Sequence, residues 1–253
     1  FNNPRNTEGR SEEEHVEFHR TSTENKALND ISVSLGAFSD TDELMSILCL
    51  VPYDFYFDGT SLPGTGIGNV CTYPQHRRKG AVRELFIDSM KRMYEGGSAF
   101  SYLYPFNETC YNKFGYQRLN NSLQRHLSLI SLPEEKPTGS FHLLGLDATE
   151  AEFQHVYHAY ASNLNLMVKR DEMDCKNIRD AKASLNNNYA YLYKDSEGTP
   201  RGYLVIKGIR SSEHSFLACR EFIFDSQDTL KALLSFARTY ASNYRSIRFY
   251  TPI

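Results

Sequence analysis

Apolar spacing changes at Gly80, and that change limits the folds open to the chain. Upstream, ISVSLGAFSD (31–40) is rich in β-branched residues and closes on turn formers, as a strand does. ELMSILCLVPYDFYFDG reads as a second strand with a bend at Pro52. Asp58, Gly59 and the glycines of SLPGTGIGN mark a loop, with GTGIG (64–68) as a hairpin loop leading into a third strand over 67–72. Consecutive strands this close in sequence are expected to pair antiparallel. Downstream of Gly80, Ala81, Val82, Leu85, Phe86, Ser89, Met90 and Met93 recur on one helical face, with Arg83, Glu84, Asp88, Lys91, Arg92 and Glu95 opposite. Gly96 and Gly97 end that helix, because glycine tolerates the left-handed cap. A strand in SAFSYLYPF, a short helix in NETCYNKF and a closing strand in LQRHLSLI complete the set.

A second set repeats the plan. After SLPEEKPTGS (131–140), a linker by composition, come strand FHLLGL, helix TEAEFQHVYHAYASNL, a further helix around MVKRDEMDCKNIRD, and strands YAYLYKD, RGYLVIKGI and FLACREFIF. Helix DTLKALLSFARTYASNY and strand SIRFYTPI close it. The polar opening, FNNPRNTEGRSEEEHVEFHR, reads as a loop followed by a helix. The fold class is therefore α/β (α+β with mixed sheets), in two tandem domains over 1–130 and 141–253.

Composition removes several function classes. The 253 residues are 40% apolar and 23% charged, enough for a real core. A net charge of −3 supplies no overall positive field, which disfavours nucleic acid as a partner. The most apolar stretch, LMSILCLV, is far below spanning length, so no membrane partner is expected. Cys49, Cys71, Cys110, Cys175 and Cys219 are scattered without CxxC spacing, which argues against a disulfide framework or a zinc site and fits reduced thiols in a cytoplasmic protein. Glu12-x-x-His15 and Glu152-x-x-His155 echo di-iron helix motifs, but a strand-rich chain lacks the bundle those need, and no metal is expected.

The chemistry concentrates in VCTYPQHRRKGAV (70–82). A strand that enters a loop ending at a helix start presents backbone N–H groups with no helical partner. Those groups and the helix dipole favour an anion. Gly80 lets the main chain approach a phosphate, and Arg77, Arg78 and Lys79 add charge on the same side. Taken alone, HRRK would be a solvated surface cluster; with the preceding strand and following helix it makes physical sense as a diphosphate cradle.

HRRKGA after a V-x-T-x-P strand resembles motif A of the GNAT superfamily of acyl-CoA N-acyltransferases, Arg/Gln-x-x-Gly-x-Gly/Ala, with Val82 in place of the small last residue. CYNKFGY (110–116) resembles motif B with its aromatic-Gly-aromatic ending. Together with LGAFSDTDELMSILCLVPYDFYFDG and a second GNAT-like half, these stretches resemble the Eis (enhanced intracellular survival) type of N-acetyltransferase over about 31–253. The resemblance implies tandem GNAT-like domains, the first binding acetyl-CoA as co-substrate and the second degenerate. In the second half the matching turn, EFIFDSQDTLKALL, carries Asp225 and Asp228 and no glycine, and those carboxylates would repel a diphosphate and cap the helix.

Carried over residue by residue, the resemblance implies that Val70, Cys71 and Thr72 offer main-chain groups to the pantetheine arm. Arg77, Arg78, Lys79, Gly80, Ala81, Val82 and Arg83 would surround the diphosphate, and Phe106 and Asn107 would line the other side. Tyr111 matches the general acid that protonates the departing thiolate; without the resemblance it reads as a space-filler beside Phe114. Cys71 is expected in the core or the cofactor groove as a small apolar group. The implied activity is transfer of an acetyl group to a primary amine of a small cationic molecule (aminoglycoside- or polyamine-like) or a lysine side chain. Glu43, Asp54 and Asp58 are candidates to face that amine. In the resembled family the base ends a third, lipid-carrier-like domain, which these 253 residues do not include, and the assembly is a homo-oligomer, a hexamer. The competing reading is a non-catalytic acyl-CoA-binding or scaffold module.

Overall fold

The computed structural model describes residues 32–119, 122–170, 188–211 and 214–252. The opening segment with Glu12 and His15, and Cys175 with most of the helix expected in MVKRDEMDCKNIRD, lie outside the described residues. The chain divides into two units, one of Phe1–Gln117 with Leu166–Lys169 and one of Arg118–Asn165 with Arg170–Ile253.

In the first unit, β1 (Val33–Phe38), β2 (Leu44–Phe57), β3 (Thr60–Thr72) and β4 (Phe100–Leu103) lie in that spatial order. The first three pair antiparallel, while β3 and β4 run parallel. A third short partner, β7 (Met167–Lys169), pairs with β2 at residues 54–56; these residues form a strand, not the start of the expected helix. No bend interrupts β2 at Pro52. That residue stays in register with Thr65 of β3, and along the other edge it falls between Leu50, the last partner of β1, and Asp54, the first partner of β7. A proline there costs no bond to either edge partner.

The expected glycine loop is also strand. Residues 64–68 sit inside β3, and the reversal lies at Asp58 and Gly59, whose φ values are +48° and +72°. The glycines are needed for a different reason. A Cβ on Gly64 would stand 2.3 Å from the Phe55 ring, and one on Gly66 would stand 2.9 Å from the Tyr53 ring. Aromatic side chains of β2 therefore lie across bare backbone of β3. Gly64→Ala is expected to lower the unfolding free energy by about 2 kcal/mol through overpacking against buried Phe55, read as a lower urea midpoint at unchanged slope.

Helix α1 (Ala81–Glu95) covers one face of β1, β2 and β3. Leu85, Phe86 and Met93 join Leu48, Leu50 and Ile67 in its core, as the periodicity requires, while Met90 stays exposed. Gly97, at φ +75°, ends the helix: its N–H reaches Tyr94 O and the next N–H reaches Met93 O. The same closure ends α2 (Glu108–Asn112). Gly115, at φ +86°, donates to Asn112 O, and Tyr116 N–H donates to Tyr111 O. That turn explains the aromatic-Gly-aromatic ending, because it brings Phe114 and Tyr116 onto the same Phe86 ring, at 4.2 and 6.1 Å between centroids.

The second unit has a six-stranded sheet ordered β5 (Ser122–Ser128), β11 (Ser246–Pro252), β10 (Ser215–Phe224), β9 (Pro200–Arg210), β8 (Asn188–Lys194) and β6 (Ser140–Leu143). Only β10 and β11 run parallel, at residues 216–218 and 246–248. The strand expected to close the first set is here instead. β4 offers an edge four residues long, whereas β5 pairs with β11 over seven antiparallel positions. Residues 202–206 of β9 are all buried, so both sheet faces are covered. On one face Phe153 of α3 (Glu150–Ala161) packs on Tyr203; on the other Leu233 of α4 (Gln227–Arg238) packs with Leu204 and Ile206. Buried Glu221 accepts from Arg170 Nη1 and from the Tyr203 hydroxyl, both at 2.8 Å. Glu152 takes no metal-like setting: it closes the capping box of α3 with Thr149 and pairs with Lys194 at 2.7 Å.

Candidate active site

β3 and β4 set the site. They are paired from 64 to 67 and from 100 to 103, and no further. Beyond that point β3 continues to Thr72 with β2 as its one strand neighbour among the described residues, through an irregular register in which Asn69 takes φ +53°. Two parallel strands that stop pairing leave main-chain groups on their facing edges available to a third chain-like group. Val70 packs against the α1 core, whereas Cys71 is exposed, which removes the core and leaves the groove of the two expected settings for Cys71. Cys71 O accepts from Ser46 Oγ at 2.7 Å, and the same hydroxyl lies 3.0 Å from Thr72 Oγ1. Those bonds hold the end of β3 to β2.

The loop then turns into α1. Tyr73 N–H donates to Met45 O, and a 3-10 turn over Pro74–His76 follows, with Arg77 N–H on Pro74 O. Arg78 and Gly80 both take left-handed backbone, at φ +64° and +89°. The first amide bonded within the helix is that of Arg83, to Gly80 O. Among the described residues, no group accepts from the amides of residues 78–82. Five successive amides without a partner, with left-handed residues among them at a helix start, form an anion-binding concavity. Arg77, Arg78, Lys79 and Arg83 are exposed around it. Ala81 is buried, and Val82, the departure from the expected small residue, turns its branched side chain to the α1 core.

The other wall comes after β4. Phe106 is exposed, and the Asn107 side chain accepts from Cys110 N–H as the N-cap of α2, which fixes its amide oxygen. Phe106 meets the Tyr111 ring edge-on at 5.4 Å, and Phe86 lies 5.9 Å from Tyr111 on the core side. Tyr111 is 4% exposed and belongs to the cluster that contains Ile67, Val70 and Leu103, at the point where the strands part. Burial, with the neighbouring Cys110 thiol second, pushes its phenol up to about 12. Its hydroxyl donates to no described group. Sequence reasoning thus named residues that the fold brings to one end of the first sheet.

It missed His76, a buried side chain whose ring meets both Lys79 and Glu43. Only the burial could have singled that histidine out, and a single basic run hides it. Of the three candidate acids, Glu43 stands beside His76 at the loop, Asp54 pairs opposite Lys169, and Asp58 occupies the β2–β3 reversal.

Residues 7–119 match the sequence profile of the acetyltransferase (GNAT) domain family. The first unit has the GNAT fold. No curated protein sequence matches the chain. Among solved structures, a conserved protein of unknown function from Enterococcus faecalis V583, described as a probable N-acyltransferase, superposes with a TM-score of 0.76 at 21% identity, covering 90% of this chain and 57% of that one. A GCN5-related N-acetyltransferase from Anabaena variabilis gives 0.75 at 19% identity, over 87% of this chain and 56% of its own. Eis1 from Mycobacterium abscessus gives 0.70 at 18%, over 87% and 57%. The chain therefore spans under two thirds of the length of these structures. In the second unit the turn that joins β10 to α4 is closed by its own side chains. Ser226, not an aspartate, caps the helix through Thr229 N–H, while Asp225 accepts from Thr229 Oγ1 and lies 3.5 Å from Arg201.

Proposed function

We propose that the chain is an acetyl-CoA-dependent N-acetyltransferase of the Eis type, with its donor site wholly in the first unit and a second, degenerate GNAT-like unit. The observation that carries this reading is the row of unpartnered amides at residues 78–82, beside strands that part next to a buried tyrosine. The diphosphate of the donor would accept from those amides under the charges of Arg77, Arg78, Lys79 and Arg83. Its pantetheine arm would lie along the open edge of β3 at Val70, Cys71 and Thr72, with Phe106 and Asn107 on the far side.

The acceptor would be a primary amine of a small cationic molecule or a lysine side chain. Its lone pair attacks the thioester carbonyl, an N–C bond forms and the C–S bond breaks. A main-chain N–H near Cys71 would meet the oxyanion, Tyr111 would give its proton to the departing sulfur, and the proton that the nitrogen sheds would pass to solvent water, from which the Tyr111 phenolate regains its own. The resemblance further suggests a cytoplasmic homo-oligomer.

Calorimetric titration with acetyl-CoA, followed by thiol release in the presence of polyamines, aminoglycosides and a lysine peptide, tests this directly. Saturable binding and amine-dependent thiol release are expected. Binding without release under every amine would leave the scaffold reading in its place, and absence of binding would remove both.

A further inference from the structure

The loop that would hold the diphosphate has an internal conflict. Amides aimed at an incoming anion cannot also stabilise their own loop, and from residue 78 to 82 none of them does among the described residues. The backbone upstream is fixed by only a few bonds, from Tyr73, His76 and Arg77. Side chains must therefore hold the left-handed geometry of Arg78 and Gly80. His76 is the buried side chain of this loop, at 7% exposure, and its ring touches both sides. Nδ1 is 3.4 Å from Lys79 Nζ, and Nε2 is 3.8 Å from Glu43 Oε2. A lysine ammonium can only donate, so a hydrogen bond at this contact uses Nδ1 as its acceptor and leaves Nε2 to face the Glu43 carboxylate. Glu43 is itself anchored by its backbone: its N–H meets Ser39 Oγ at 3.0 Å, and its carbonyl accepts from Ser39 N–H at 2.8 Å.

We infer that His76 is a positioning residue for the phosphate-binding loop. It is held against the β1–β2 turn by Glu43, and it sets the Lys79 ammonium and, through it, the 78–82 amides before any ligand arrives. This rests on the donor site proposed above. Preorganisation of this kind lowers the ordering cost of binding and should appear in affinity for the diphosphate. The main contribution is assigned to the Lys79 bond, because the Glu43 side chain is two-thirds exposed and its pairing is screened.

The test uses two substitutions, one that fills the buried space and one that keeps a polar atom in it. His76→Leu removes the acceptor, and His76→Asn keeps an oxygen near the position of Nδ1. The expected result is a CoA dissociation constant about tenfold higher for His76→Leu, with an unchanged melting temperature, and largely restored for His76→Asn. Inorganic pyrophosphate, used as a competitor, should weaken by the same factor. Equal CoA affinity in wild type and His76→Leu would overturn the inference, as would a loss for CoA with pyrophosphate unaffected, or equal losses in the Leu and Asn variants. Failure of wild type to bind CoA would instead sink the donor-site reading and take this inference with it.

Discussion

Tyr111→Phe is expected to slow amine acetylation about 10²- to 10³-fold while the acetyl-CoA dissociation constant stays within about twofold. The hydroxyl has no described partner, so its removal orphans nothing, and the ring keeps its packing against Phe86 and Phe106. What is lost is an interaction made only as charge develops on sulfur, so kcat and kcat/KM should fall together. The phenol at about 12 is a weaker acid than an ordinary thiol near about 8.5. Its contribution is therefore a hydrogen bond that strengthens as the C–S bond lengthens, with the proton following late. The sign of the pH effect follows. Burial raises the pKa, so the neutral, donating form persists through the neutral and mildly alkaline range and is lost only as pH approaches about 12. A pH–rate profile should show no limb from Tyr111 below about pH 11. Equal turnover in the two proteins, or an alkaline limb near about pH 9 that disappears in Tyr111→Phe, would strip the tyrosine of this role.

Arg78→Ala combined with Lys79→Ala should raise the acetyl-CoA dissociation constant about a hundredfold. Each removes a charge-assisted contact worth about 1.5–3 kcal/mol, offset in part because both side chains are exposed and screened. Arg78 also carries backbone strain, since alanine at φ +64° has the same steric cost as arginine but none of its charge. Arg78→Gly with Lys79→Ala separates the two effects, because glycine relaxes the backbone and still lacks the cation. Both double variants should bind with similarly reduced affinity and a shallower salt dependence than wild type. Calorimetry at two ionic strengths measures this, and unchanged affinity would count decisively against a cradle at residues 78–82.

Much of this arrangement is legible in the sequence. The period change at Gly80 located α1 and the loop before it, because a helix face and a strand alternation write different spacings into apolar residues. The Gly115 turn left a trace too, since a left-handed cap favours glycine and the flanking Phe114 and Tyr116 converge on Phe86, whereas Tyr111 stood out through the resemblance alone. Other features left no such trace. Gly64 and Gly66 read as loop residues, because a sequence cannot distinguish glycine chosen for turning from glycine chosen to admit a neighbouring ring. LQRHLSLI follows the first set of elements and reads as its last strand; only the long ladder with β11, formed by residues more than a hundred positions away, assigns it elsewhere. His76 was hidden by its charged neighbours, since burial is a property of tertiary packing.

The pairing of β7 with β2 has a consequence for how such a protein could arise or be dissected. Four residues of the first unit are encoded inside the stretch that encodes the second, and β5 lies ahead of them. Neither unit is a contiguous cassette that recombination could lift out whole. A cut after Gln117 strips β2 of a neighbour, and a cut after residue 130 takes an edge strand from the other sheet, so neither truncation preserves both sheets.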